Sequence, residues 1–186
     1  MSTFLSADLH WGHFNIIRYC GRPFATLEEM HNALIKNWNA RVKPSDTVIH
    51  VGDWCFKNTV NGKEGTPNKA EYWQSLLNGK VIFIEGNHDK NNGVKTPIQG
   101  MLLASHSKRI WCVHKPEHAR TDVDINFVGH VHQNWKIKKY KDTILYNVGV
   151  DVNNFRPILL DEAVGQVQKL LNTTQVEEFI HEIRND

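Results

Sequence analysis

The sequence predicts one α/β domain, and three observations lead there. At 186 residues the chain is long enough to bury a single substantial core. Apolar runs of strand length recur along it, and helical spacing of apolar residues falls between several of them. Five of those runs end in short clusters of Gly, Asp, Asn and His, the chemistry expected where strand ends meet a ligand. No repeat, low-complexity segment or compositional break divides the chain, so residues 1–186 read as one domain.

Thr3-Phe4-Leu5-Ser6-Ala7 reads as the first strand and delivers Asp8-Leu9-His10 to its C-terminal end. Residues two apart in an extended chain share a side, so Asp8 and His10 can address one point. Trp11 to Cys20 is a compact stretch. Thr26-Leu27-Glu28-Glu29 resembles a capping box, opening a helix whose apolar face is Leu27, Met30, Leu34, Ile35 and Trp38 and which runs to about Val42, ahead of Pro44. Asp46 to Val51 is the second strand and is followed by Gly52-Asp53. Lys57 to Asn68, rich in Gly, Asn and Lys, reads as a surface loop or lid. Glu71 to Leu77 is helical and is closed by Asn78-Gly79.

Lys80 to Glu85 is the third strand and leads into Gly86-Asn87-His88-Asp89, with Lys90-Asn91-Asn92-Gly93 beyond it as an exposed loop. Met101 to Ala104 and Arg109 to Val113 are strands, the second ending at His114. Asp124 to Val128 is another and ends in Gly129-His130-Val131-His132. Trp135 to Tyr140 and Thr143 to Val148 form a hairpin turned at Lys141-Asp142, and Asn147-Val148-Gly149 is placed to support a site from behind. From about Leu159 the chain reads as helical, with Val176, Phe179 and Ile180 as the apolar face of its last segment.

Composition narrows the function classes. Hydrophobic residues at 40% and charged residues at 23% are ordinary for a soluble globular chain. A net charge of +2 gives no general electrostatic case for nucleic acid or an anionic membrane. Cys20, Cys55 and Cys112 are odd in number and far apart, which argues against a disulfide framework or a zinc finger and suits a reducing cytosol. No signal-like segment opens the chain, and no apolar stretch approaches the roughly 20 residues of a membrane span. The expectation is a soluble cytoplasmic protein without a membrane partner. Eleven histidines are the compositional anomaly, and histidine is the commonest metal-ligating side chain.

The strand ends carry Asp8/His10, Asp53, Asn87/His88, His114 and His130/His132. Carboxylates, an amide oxygen and imidazoles together suit divalent ions such as manganese, iron or zinc, and one carboxylate can bridge two of them. A single D-x-H is ordinarily a turn-forming Asp beside a surface His. Its recurrence as one of five such clusters carries the argument.

These clusters, Asp8-x-His10, Gly52-Asp53, Gly86-Asn87-His88-Asp89, His114 and Gly129-His130-x-His132, resemble the ordered motifs of the calcineurin-like metallophosphoesterase superfamily. The resemblance runs from about Ser6 to His132 and is greatest to the small single-domain phosphoesterases of bacteria and their phages. It implies a four-layer αββα sandwich with two mixed β-sheets and two bound divalent ions, manganese, iron, zinc or nickel. It further implies that Asp8, His10 and His132 hold the first ion, that Asn87, His114 and His130 hold the second, and that Asp53 bridges them. His88 would stabilise the transition state and protonate the departing oxygen.

Departures from the pattern inform the reading. Serine/threonine protein phosphatases of the superfamily carry an Asp-Arg pair shortly after the bridging Asp, where this chain has Phe56-Lys57. The carboxylate that orients the catalytic His is therefore missing, and Asp89 is either its replacement or a helix cap. His114 precedes Lys115 where larger relatives carry Gly, so His106 and His118 compete with it; His114 is preferred because it ends a strand. Arg18, Arg22, Lys115 and Arg120 are candidates for substrate phosphate, weighed against surface salt bridges. His13, His31, His50 and His181 read as surface or packing residues.

The expected function is metal-dependent hydrolysis of a small or nucleotide-like phosphate ester, with a phosphodiester favoured through the resemblance. A phosphomonoesterase and a nuclease are the alternatives, followed by a non-catalytic binding module. Trp135 to Tyr140 mixes aromatics and cations as single-strand binders do, but lysine on an edge strand also blocks aggregation, so nucleic acid is not favoured.

Overall fold

The computed structural model describes residues 1–56 and 70–172. Strands β1 (Thr3–Ser6), β2 (Thr47–Val51) and β3 (Lys80–Ile84) run parallel, and β9 (Ile158–Leu159) joins β1 antiparallel, giving a mixed sheet in the order β3-β2-β1-β9. A second mixed sheet, β4-β5-β6-β8-β7, is built from β4 (Gly100–Ser105), β5 (Lys108–Val113), β6 (Ile125–Val128), β7 (Ile137–Tyr140) and β8 (Thr143–Asn147). In it two hairpins flank the parallel run β5-β6-β8.

Alternation along the strands sorts the core into two halves. Phe4, Val48 and Val81 face helices α1 (Asn15–Tyr19), α2 (Leu27–Asn39) and α3 (Ala70–Ser75), meeting Ile16, Met30, Leu34, Trp38 and Trp73. Leu5, Ile49, Val51 and Ile84 point the other way, toward Ile110, Cys112, Ile125, Phe127, Ile144 and Tyr146 of the second sheet. Helix α5 (Leu160–Leu171) adds Ala163, Val164 and Val167 to this inter-sheet layer. The carboxyl ends of β1, β2, β3, β5 and β6 then supply the five polar clusters.

The capping box at Thr26 is present in a stretched form. Thr26 Oγ1 accepts the Glu29 N–H at 3.1 Å, and Glu29 reaches back to the N–H of Ala25 rather than that of Thr26. Helix α2 stops at Asn39, short of Val42, because the Asn39 side chain pins the 76–78 turn through Leu76 O and the Asn78 N–H. The loop expected at Lys90–Gly93 is instead a single helical turn, α4 (Asp89–Asn92), with Asp89 and Asn92 buried and Gly93 as its left-handed stop. The helix expected from about Leu159 begins at Leu160 as α5, and Ile158–Leu159 just ahead of it form an edge strand that adds to β1. The readings at Lys57–Asn68, at Val176, Phe179 and Ile180, and at His181 lie outside the described residues.

His31 and His50 are packing residues, as expected. His31 Nε2 accepts the Gly12 N–H at 2.9 Å. His50 is fully buried edge-on to Trp54, and neither ring nitrogen has a hydrogen-bond partner among the described residues. Burial pushes His50 down to about 3 from its ordinary 6.5. Between those two values only the unfolded chain takes up the proton, so stability falls as pH drops, by up to about 1.4 kcal/mol per pH unit from this residue. Replacing it, His50→Phe, should remove about 2–3 kcal/mol from the loss in unfolding free energy between pH 7 and about pH 4.5. Urea titrations across that range measure it, and a variant profile parallel to the wild type would show that His50 is not buried neutral.

Candidate metal centre

Three of the ligand-bearing turns are bent back at their polar residues. Asp8, His10, Asp53, His130 and His132 all have φ between +46° and +72°, the left-handed region that costs a non-glycine residue about 1–2 kcal/mol. Asp8 and His10 therefore do not share a side through extended alternation. They meet because each turns inward while the backbone stays tied to the next loop, through Asp8 N–H to Gly52 O at 3.0 Å and His10 N–H to Asp53 O at 3.1 Å. Gly52 and Gly86 make the crowding feasible: a Cβ on Gly52 would collide with the His114 ring, and one on Gly86 with Asp53.

Asp89 fixes two of these loops together. Its carboxylate accepts the N–H groups of Gly86, Asp53 and Trp54 at 2.8, 3.0 and 2.8 Å. It is a backbone clamp and does not orient the His88 ring. Where protein phosphatases carry a carboxylate, Phe56 stacks on His13 at 4.2 Å and lies 5.5 Å from the His88 ring.

The seven ligand candidates converge. Donor atoms of Asp8, His10 and His132 lie within 4.8 Å of one another, as do those of Asp53, His114 and His130. Asn87 joins the second set, its Oδ1 lying 3.0 Å from His114 Nε2. Asp53 Oδ2 stands between the sets, 3.5 Å from His10 Nε2 and 3.4 Å from His114 Nε2. His88 is 40% exposed, with Nε2 3.9 Å from Asp53 Oδ2 and its N–H donating to Asp53 Oδ1 at 3.0 Å. His106 and His118 are elsewhere: His106 pairs with Asp161, and His118 is an exposed neighbour of Glu117.

The donors fit a pair of divalent cations. His10 Nε2 is buried with no hydrogen-bond partner among the described residues although it faces a carboxylate, a placement that a cation would satisfy. His114 Nδ1–H donates to Val51 O at 2.8 Å, which leaves Nε2 facing Asn87 and Asp53. The electrostatics ask for positive charge. Burial pushes Asp8 up to about 6 against the pull of His114 and His132. Burial also acts to raise Asp53, but the His114 hydrogen bond and charge outweigh it and hold this carboxyl well below the usual range.

The substrate-phosphate candidates separate. Arg22 is not available to substrate: its side chain is fully buried, and its guanidinium is spent on Asp151 and on the carbonyls of Asp8 and Leu9. Arg120 is locked in a bidentate pair with Asp122 and lies over Trp111. Arg18 is exposed above Tyr19. Lys115 lines a cleft of about 290 Å³ beside the second set, together with Asn87, His114, Lys90 and His118.

Asn147, expected behind the site, donates to His132 O and Trp135 O. Asp151 was missed, although it accepts from His132 Nδ1 at 2.9 Å. Its signal was the same as that of the other clusters: Gly149-Val150-Asp151 follows the apolar run of β8.

Among the described residues no helix is long and apolar enough to cross a membrane. Residues 1–154 match the calcineurin-like phosphoesterase superfamily domain. The chain is 35% identical over 176 residues to the uncharacterized protein MJ1445 of Methanocaldococcus jannaschii, covering 89% of this chain and 91% of that one. Its fold is similar to that of a protein of unknown function from Aquifex aeolicus, AQ665, with a TM-score of 0.66, 22% identity, and 89% and 98% of the two chains covered.

Protons and cations compete for these donors. His114 is pushed up to about 9, where Asp53 outweighs burial, and His132 to about 10, where Asp151 does. Both shifts favour the protonated ring in metal-stripped protein, and a cation would compete with those protons. Metal affinity should rise with pH toward that range, and calorimetry in buffers of different ionisation enthalpy should show proton release. Binding without release would mean that His114 and His132 are not displaced.

Proposed function

The chain belongs to the calcineurin-like phosphoesterase superfamily, and on that premise we propose that it hydrolyses phosphate esters with two divalent ions, acting on a small or nucleotide-like phosphodiester. The observation that carries this reading is the pair of donor sets meeting at Asp53 Oδ2 with a half-exposed histidine beside them. Asp8, His10 and His132 would hold one ion, Asn87, His114 and His130 the other, and Asp53 both. Bound there, such ions supply Lewis acidity toward the phosphoryl oxygens and make a water acidic enough to attack near neutral pH.

The remaining chemistry belongs to side chains. His88 is held by its backbone to Asp53 while its ring stays accessible, so Nε2 can donate a hydrogen bond to a phosphoryl oxygen and pass a proton to the leaving oxygen. The cleft continues beyond Asn87 and His114 to Lys90 and Lys115, which gives the second arm of a diester a place to lie. A monoester needs no such extension. The lysines of the 135–141 segment favour nucleic acid less: Lys138 and Lys141 already lie over the rings of Trp135 and Tyr140, and β7 is an edge strand. A cytoplasmic setting accords with three free cysteines, two of them buried.

Metal-stripped protein should cleave bis-p-nitrophenyl phosphate faster than p-nitrophenyl phosphate once manganese, nickel, zinc or magnesium is restored. A preference for the monoester would reverse the substrate assignment. The variant His88→Ala should keep its bound metal and lose about 10²–10⁴ in turnover. Wild-type turnover in that variant would remove His88 from the reaction.

A further inference from the structure

Arg22 and Asp151 form a buried pair with an unusual set of connections. Arg22 Nε and Nη2 donate to the two oxygens of Asp151 at 2.7 and 3.0 Å, a bidentate contact between side chains that are 0% and 2% exposed. The same guanidinium donates to Asp8 O at 2.7 Å, to Leu9 O at 3.1 Å and, more weakly, to Met30 Sδ at 3.4 Å. On its far side Asp151 Oδ2 accepts from His132 Nδ1 at 2.9 Å. One ion pair thus holds both the loop that carries Asp8 and His10 and the ring of His132.

Such a pair is costly to bury, since desolvation consumes much of what the attraction returns, and an apolar pair of similar volume would serve packing as well. Apart from the weaker contact to Met30 Sδ, its outputs go to one place. The Asp151 carboxylate selects the His132 tautomer with hydrogen on Nδ1, which leaves the Nε2 lone pair for a cation, and the Arg22 contacts fix the backbone on which the other two donors stand. Cys20 also lies near His132 and Asp151, but the guanidinium already supplies the positive charge there, so these three groups do not make a separate cation site.

The second set is held differently. His114 is oriented by a neutral carbonyl, Val51 O, and Asn87 is exposed. Among the described residues no carboxylate stands behind either His114 or His130 as Asp151 stands behind His132.

We infer that Arg22 and Asp151 are positioning residues for the Asp8/His10/His132 site alone, and that this brace makes it the tighter of two unequal cation sites. The inference goes beyond the proposed reaction, because it assigns roles to two side chains that meet neither substrate nor cation.

Binding of Mn²⁺ to metal-stripped protein, followed by calorimetry and by paramagnetic broadening of histidine ring signals, tests it. In the wild type the first equivalent should broaden His10 and His132 before His114 and His130; the opposite order would overturn the inference without recourse to any variant. In Asp151→Asn the tighter step should weaken by about 10- to 100-fold while the weaker step holds within about twofold. That variant leaves a buried guanidinium unpaired, so Arg22→Met/Asp151→Asn is measured alongside it, with circular dichroism to establish folding. A folded variant that binds both equivalents as the wild type does, or that loses both equally, would overturn the brace. Turnover plays no part in these readouts, so an absence of hydrolysis counts against the proposed reaction only. A wild type that binds no Mn²⁺ would overturn both.

Discussion

Negative charge inside the protein has to be met, and the ends of both sheets are arranged around that constraint. Asp8 and Asp53 are both almost wholly removed from water. Neither could stay ionised there without close donors or cations. Asp8 takes the N–H of His130, and Asp53 takes the N–H of His88 and stands between two imidazoles. The left-handed turns, the two crowded glycines and the Asp89 clamp all serve to bring those donors within reach. The strain of five left-handed residues on three such turns is tolerable only because the paired sheets beneath them leave the loops no alternative path.

Burial also divides the labour within the site. Asp8, His10, Asp53 and His114 are almost fully enclosed. His88 has a fixed backbone and an accessible side chain. Asn87 is open to solvent as well, so the second donor set faces the cleft that it lines.

Much of this was legible in the sequence because it is local. A strand followed by a polar cluster is visible in any window of ten residues, and Asp8, His10, Asp53, Asn87, His88, His114, His130 and His132 were all found that way. Most of what escaped depends on long-range partners. Asp151 carried a local signal after β8, but Arg22, 129 positions away, did not: an arginine ahead of a proline gives no sign that it will be buried. Asp89 looked like a cap because its neighbours in sequence allow one; its bonds to Asp53 and Trp54 cross 36 and 35 positions. The strand β9 has only two residues, too few for any periodicity, and exists because the edge of β1 is there to receive it. The left-handed turns were also invisible, since Asp and His carry no obligatory signal for positive φ as Gly does.

The two sheets contribute unequally to the ligands, and the division has a mechanical consequence. Asp8, His10, Asp53 and Asn87 rise from the four-stranded sheet, whereas His114, His130 and His132 rise from the five-stranded one. Between the sheets the buried layer is mainly apolar side chains, which have no preferred direction of pull. It is pinned at the site end by a few hydrogen bonds, such as His114 to Val51 O, His130 N–H to Asp8 and Val150 N–H to Ala7 O. A cation gripped from both sides would act as a clasp across that plane, undone by chelation and not by reduction. The resistance of this protein to being pulled apart, and its lifetime under heat or proteolysis, would then be set by the metal supply of its surroundings as much as by its own core.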